Sequence, residues 1–348
     1  ATSLYIPNSV TSIGASAFNG CSSISAINIP DSVTSMGSYA FSGCTSAKEL
    51  SIGSGLRTIK EYTFQDCTGL TNVVVPDTVT SIQNHVFYGC SNVAEITLPF
   101  VGSSRTATGY SSAFGYVFGY TLYDAYTKNS STSSYFKYDV YNYNGSIIAE
   151  DDTSSYVDSD RYGAANALEV NKTVGYNPTG TSSWYSCYTG TTYSTSYRYL
   201  QTYVYSIPSK LKTVNITDAT NIQPVAFNNC TYITDINLNE GITSIGSYAF
   251  RDNDALKDFA IPETVSTIGS HAFYNDSALT EIYIPDAVTT ISDSIFYNCT
   301  SLNKLTISRY ATTIGSSAFY NCKSLPKINI PNKVTTIKDL AFSNCTGA

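Results

Sequence analysis

Residues 241–253 read Gly-Ile-Thr-Ser-Ile-Gly-Ser-Tyr-Ala-Phe-Arg-Asp-Asn. Stepping 23 residues forward from Phe250 lands on Phe273, then on Phe296, Phe319 and Phe342, and one step back lands on Phe227. An earlier block keeps the same step through Phe18, Phe41, Phe64 and Phe87. A fixed period of this length marks a stacked array in which each unit buries its apolar side against its neighbours.

Other columns keep station with the anchor phenylalanine. Eight residues before it stand Val10, Val33, Leu56, Val79, Ile242, Val265, Val288 and Val334, with Ala219 and Ala311 completing the set. Five before it every residue is Ile except Met36. After it comes an apolar run spaced three then two, as in Ile24, Ile27, Ile29 and again in Leu279, Ile282, Ile284. The alternation at the end of that run predicts a short strand. Pro30, Pro76, Pro99, Pro262, Pro285 and Pro331 follow directly, and a residue without an N–H ends the ladder there. One repeat buries too few side chains to offset the entropy of ordering itself, so the turns must stack. The expected fold is a strand-dominated, right-handed, curved solenoid of 23-residue repeats with its strands on the concave side.

The Leu/Ile-x-x-Ile-x-Ile-Pro strand, the Val-Thr-Ser-Ile-Gly segment and the Ala-Phe-x-x-Cys turn together resemble the BspA-like class of leucine-rich repeats. The resemblance covers about two thirds of the chain, and residues 241–253 follow its consensus closely. It implies a surface-exposed or secreted protein of the kind made by bacteria of the mouth and gut and by some protists. It also implies adhesion to host proteins or other cells and no enzyme activity, and it supplies no fixed binding residue.

Composition narrows the partners. Nineteen Lys and Arg against 26 Asp and Glu leave a net charge of −7, which argues against nucleic acid and anionic membrane. No stretch approaches the length of an apolar membrane span, so no membrane insertion is expected. His85 and His271 both stand two residues before an anchor and read as turn residues. Eight of nine cysteines, Cys21, Cys44, Cys67, Cys90, Cys230, Cys299, Cys322 and Cys345, stand three residues after an anchor, where Asn253 and Asp276 fill the other two repeats. Parallel side chains on stacked turns do not face one another, so this column reads as buried free thiols forming a structural ladder. No cysteine pair has metal spacing and no cofactor is expected. Cys187 stands alone and reads as a packed or surface thiol.

The register is lost from about Phe100 and returns with Leu211, Val214 and Ile216. We divide the chain into a first repeat block (1–99), an island (100–206) and a second block (207–348). The island holds 19 of 30 tyrosines and the single Trp, too aromatic for a linker. Its opening, 99–120, is similar to an island in some members of the family. Alternating aromatic and polar residues predict antiparallel strands over the rest. The acidic run Glu150-Asp151-Asp152 lacks the spacing of a calcium loop.

Two surfaces are candidates for ligand binding. The island offers Tyr116, Tyr120, Tyr123, Tyr126, Trp184, Tyr185 and Tyr188, in the Tyr-and-Ser composition of adaptable recognition loops. The outward strand positions offer Glu95, Asp235, Asp258 and Glu281 with Tyr283 alongside, an acidic stripe that ends at Lys304 and Lys327. The expectation is a non-enzymatic surface adhesin for a protein or glycan. The alternative is a structural spacer within a larger surface protein, and a hydrolase in the island ranks last. Neither terminus shows a polar capping repeat, which suggests a fragment or ends covered by self-association.

Overall fold

The computed structural model describes residues 3–128, 139–141, 147–150, 170–175, 184–185 and 197–347, with side chains described in the solenoid on either side of residues 120–204. Most turns of the chain contribute two short parallel strands. One column runs through Ala26–Ile29, Glu49–Ile52, Asn72–Val74, Glu95–Leu98, Thr213–Ile216, Asp235–Asn237, Glu281–Tyr283 and Lys304–Thr306. The other consists of two-residue strands at the Ser/Thr-Ile dipeptide, from Ser12–Ile13 to Thr336–Ile337. Pairing is in repeat register: Ile27 lies opposite Leu50, Ile13 opposite Met36, and Ile314 opposite Ile337. A register fixed by the period keeps every apolar position inward, because a slip by one residue would expose it.

Between the two columns lies one continuous core. Val33, Leu56, Val79, Ile242 and Val265 are fully buried, as are the anchors from Phe41 to Phe319. The anchor rings stack along the axis, with centroids 5.0 Å apart for Phe18–Phe41 and 5.1 Å apart for Phe250–Phe273. The turn that carries each anchor is bonded to the next: Phe41 N–H donates to Thr63 O at 2.9 Å, and Phe227 N–H to Ala249 O at 2.7 Å. Two residues before the anchor the backbone is left-handed even where no glycine stands, as at Tyr39, Tyr62, His85, Tyr248 and His271. The tight turn imposes that conformation, which the neighbouring turns then hold by bonding both its faces.

The stack does not stop at the island. Glu95–Leu98 pairs directly with Thr213–Ile216, Ile96 lying opposite Val214. The step in the phenylalanine column between Phe87 and Phe227 is filled by Phe118 and Phe114, whose rings lie 6.4 Å from Phe87 and 5.1 Å from Phe227 respectively. Both come from a short 3₁₀ segment, Phe114–Phe118. Its backbone takes the anchor's role in each direction: Phe87 N–H donates to Val117 O at 2.9 Å and Phe114 N–H to Ala226 O at 2.7 Å. Phe100, Val101, Phe114, Val117 and Phe118 therefore belong to the solenoid core. The segment from about Phe100, where sequence register is lost, still completes a turn, built with different spacing.

The chain leaves the stack at Gly119 and returns at Tyr205. Gly119 has φ +89°, and a Cβ there would stand 2.3 Å from Cδ2 of His85, so only glycine fits. Ser206 N–H donates to Gly119 O at 2.9 Å, which closes the neck. Beyond it Tyr120–Lys128 pairs antiparallel with Tyr197–Pro208, from Tyr120 opposite Tyr205 to Lys128 opposite Tyr197. Asp139–Tyr141, Ile147–Glu150, Val170–Gly175 and Trp184–Tyr185 join the same antiparallel sheet.

Candidate functional site

The neck of the island is clamped by one arginine. Arg105 sits in the atypical turn and reaches both neighbours: its guanidinium donates to Asp77 O at 3.0 Å and Val79 O at 3.4 Å on one side, and to Asp218 O at 3.3 Å on the other. It also forms an ion pair with the Asp218 carboxylate and lies over the Phe100 ring, 5.3 Å from its centroid. Three turns are thereby tied at the point where the island departs.

The island candidates fall into three groups. Tyr116 is half-buried in the 3₁₀ segment and packs against Ala113 and Tyr205, so it is part of the neck. Tyr120, Tyr123 and Tyr126 lie on one strand, opposite Tyr205, Thr202 and Tyr199; Trp184 and Tyr185 lie opposite Arg198 and Tyr197. Strand pairing thus gathers tyrosines that sequence distance separates. Tyr188, Cys187 and the acidic residues Asp151, Asp152, Asp158 and Asp160 lie outside the described residues.

On the long-strand face the outward column runs Glu49, Asn72, Glu95, Thr213, Asp235, Asp258, Glu281 and Lys304. Register places Glu95 beside Thr213 and Thr213 beside Asp235, so a neutral hydroxyl interrupts the acidic stripe. A period of 23 could not reveal Thr213, because the island separates it from Glu95 in sequence. Three of the acids accept hydrogen bonds: Glu95 Oε1 from Asn215 Nδ2 at 2.9 Å, Asp235 Oδ2 from the Thr234 hydroxyl at 2.6 Å, and Asp258 Oδ1 from the Thr280 hydroxyl at 3.0 Å. Glu281 forms an ion pair with Lys304. A second outward column is mostly uncharged, with Thr97, Asn215 and Asn237 linked by amide hydrogen bonds. Tyr283 stands in it with 39% of its surface exposed. Partial desolvation and the nearby Glu263 and Asp286 carboxylates raise its hydroxyl's pKa, so it remains a hydrogen-bond donor near neutral pH. Val74, 49% exposed, is an apolar member of the same column that charge-based reading overlooked.

The cysteine column lies inside. Cys67, Cys90, Cys299 and Cys322 are buried free thiols, and Cys21 and Cys345 are half-buried at the two ends. Each thiol that bonds does so to the anchor carbonyl of the previous turn: Cys67 to Phe41 O at 3.2 Å, Cys90 to Phe64 O at 3.1 Å and Cys299 to Phe273 O at 3.1 Å. Burial pushes Cys90 up to about 12 and Cys299 well above the ordinary thiol range. Asn253 and Asp276 reverse the polarity, accepting from the backbone of the turn before: Asn253 Oδ1 from Cys230 N–H at 2.7 Å, and Asp276 Oδ1 from Asn253 N–H at 2.8 Å. His85 and His271 stack on Tyr62 and Tyr248, with centroids 4.9 and 4.6 Å apart. Among the described residues no three His, Cys, Asp or Glu side chains are placed to hold a metal ion. No helix among them is long and apolar enough to cross a membrane.

The family profile described as "BspA type Leucine rich repeat region", present in six copies, matches residues 1–114 and 220–348. The chain belongs to the BspA-type leucine-rich repeat family. Its solenoid is similar to a leucine-rich repeat protein from Bacteroides ovatus, at 16% identity over 97% of this chain and 81% of that one, with a TM-score of 0.41. A leucine-rich cell surface protein from Faecalibacterium prausnitzii matches at 20% identity over 99% and 77%, with a TM-score of 0.31. The pneumococcal vaccine antigen PcpA matches at 16% identity over 98% and 75%, with a TM-score of 0.32. No curated protein matches the chain. The first family segment ends at residue 114, inside the atypical turn, and the second resumes at 220, past the neck. A BspA-type solenoid of this kind is a repeat-based binding or structural module.

Proposed function

We propose that this chain is a non-enzymatic, surface-exposed adhesin that recognises a protein or glycan. The observation that carries the reading is the clamped neck, where the long-strand column and the stack of anchor rings continue past an extruded, Tyr-rich sheet. Rigid scaffolds that present aromatic loops are the usual architecture of recognition. The family's usual surface setting supports an extracellular location, and of the middle unit, 100–206, residues 100–118 complete a turn of the stack while the part between Gly119 and Tyr205 is extruded. Tyr120, Tyr123, Tyr126, Trp184, Tyr185 and Tyr188 are the proposed contacts in the island, and Glu95, Asp235, Asp258, Glu281 and Tyr283 those on the strand face. The continuity of the stack also favours a second reading, a spacer that holds other segments away from the cell.

The test replaces residues 121–204 by a short Gly/Ser link, which the adjacent Tyr120 and Tyr205 positions permit. Both proteins are screened against extracellular-matrix proteins and glycans. Binding lost with the island assigns recognition to it, binding retained assigns recognition to the strand face, and silence from both sinks the adhesin and leaves the spacer.

A further inference from the structure

Charge is unevenly spread along the solenoid. Residues 301–347 carry Lys304, Arg309, Lys323, Lys327, Lys333 and Lys338 against one carboxylate, Asp339, in a chain whose net charge is −7. All six cations are exposed. Three are answered from earlier turns: Lys304 by Glu281, Arg309 by Asp286 and Lys338 by Asp293. Among the described residues no carboxylate forms an ion pair with Lys323, Lys327 or Lys333.

Two of these cations converge on one ring. Lys333 Nζ lies 4.2 Å and Arg309 Cζ 5.1 Å from the Tyr310 centroid. The negative face of an aromatic ring offsets the repulsion that would drive such a pair apart. Arg309 is fixed from behind, since its backbone N–H donates to Asp286 Oδ1 at 3.1 Å and its Nε pairs with Asp286 Oδ2 at 2.7 Å. That leaves the two η nitrogens outside the Asp286 contact, on a side chain 73% exposed. A fork of two N–H groups matches the oxygens of one carboxylate or sulfate, and the Lys333 ammonium over the same ring adds a second positive charge.

The surroundings set the size and character of the ligand. Glu281 and Asp286 bound the patch on one side, and the acidic column continues beyond them through Asp258 and Asp235. A long polyanion along the axis would meet that column within two turns, about 10 Å. Tyr283 is close enough to Arg309 and Asp286 for both to act on its hydroxyl, and Thr306 lies beside it in register. These neutral donors suit sugar hydroxyls.

We propose that this end of the solenoid binds a carboxylated or sulfated sugar, its anion held by the η nitrogens of Arg309 and the ammonium of Lys333, its neutral part lying towards Tyr283. The inference rests on the binding-module reading and names the ligand class that the strand face takes. In the test the intact chain is titrated calorimetrically with a heparin-derived tetrasaccharide, a hyaluronan tetrasaccharide and neutral maltotetraose. Binding of an anionic sugar that weakens with salt, without binding of maltotetraose, is the expected result. R309Q and K333Q each lower that affinity about tenfold; Y310A does the same, Y310F does not, and K60Q, a cation elsewhere, leaves it unchanged, all with unaltered unfolding midpoints. Equal loss in K60Q, or none in R309Q, overturns the site. Polyglutamate binding as tightly as the sugars points instead to an acidic protein, and salt-sensitive dimers abolished by R309Q point to a second copy; either overturns the proposal. Capture of matrix proteins or maltotetraose without any anionic sugar overturns this inference alone, whereas silence towards every probe overturns the binding reading with it.

Discussion

The rings of Phe114 and Phe227 stack with centroids 5.1 Å apart, and the N–H of Phe114 donates to the carbonyl beside Phe227, that of Ala226, at 2.7 Å. Within each repeat block an anchor has this relationship with the next anchor 23 residues on. Here the two residues are 113 positions apart, and the antiparallel sheet is extruded between them.

Because Phe114 and Phe118 are fully buried in that step, each serves as an anchor. F114A and F118A are therefore expected to cost about 3–5 kcal/mol, as for any buried Phe truncated to Ala. Urea unfolding of the intact chain reads this directly, and a cost below about 1 kcal/mol would show that the column is interrupted at the island.

Arg105 joins the turns on either side. Its ion pair with Asp218 is partly exposed, with side-chain exposures of 26% and 53%, so the charge itself contributes little. Its three bonds to backbone carbonyls matter more. R105A is expected to destabilise by about 1–2 kcal/mol, and R105K not to rescue, since an ammonium cannot span all three carbonyls. Rescue by lysine in a thermal unfolding series would refute the clamp.

Asp276 is fully buried. Burial pushes its carboxyl well above the usual carboxylate range; the Asn253 N–H opposes this and the charges of Asp252 and Asp254 reinforce it. The folded protein therefore holds a proton that the unfolded chain releases above about pH 4. The stability this contributes is complete below that pH and is lost as pH rises through the folded value. D276C, which restores the column's usual residue, should be more stable than wild type at neutral pH, with the difference vanishing in acid. A pH-independent difference in urea midpoints would exclude a protonated Asp276.

Thiol chemistry separates the column's interior from its ends. Iodoacetamide under native, mildly alkaline conditions should modify half-buried Cys21 and Cys345 ahead of buried Cys90, Cys299 and Cys322, whose pKa values burial raises. Peptide mass spectrometry assigns the sites. Cys90 reacting as fast as Cys21 would mean that the turns open locally.

The sequence by itself determined the solenoid, the 23-residue register and the inward columns of Val, Ile, Phe and Cys. Periodicity reports contacts between equivalent residues, and in a stacked array those are nearly all the contacts there are. The tertiary structure decided what happens where the period fails. Phe114 and Phe118 take the anchor's place from a turn with no repeat spacing, Thr213 enters the strand column beside Glu95, and Arg105 spans three turns. Each depends on which surfaces meet after the chain has left the stack and come back, a closure that local pattern does not encode because the partners share no fixed separation.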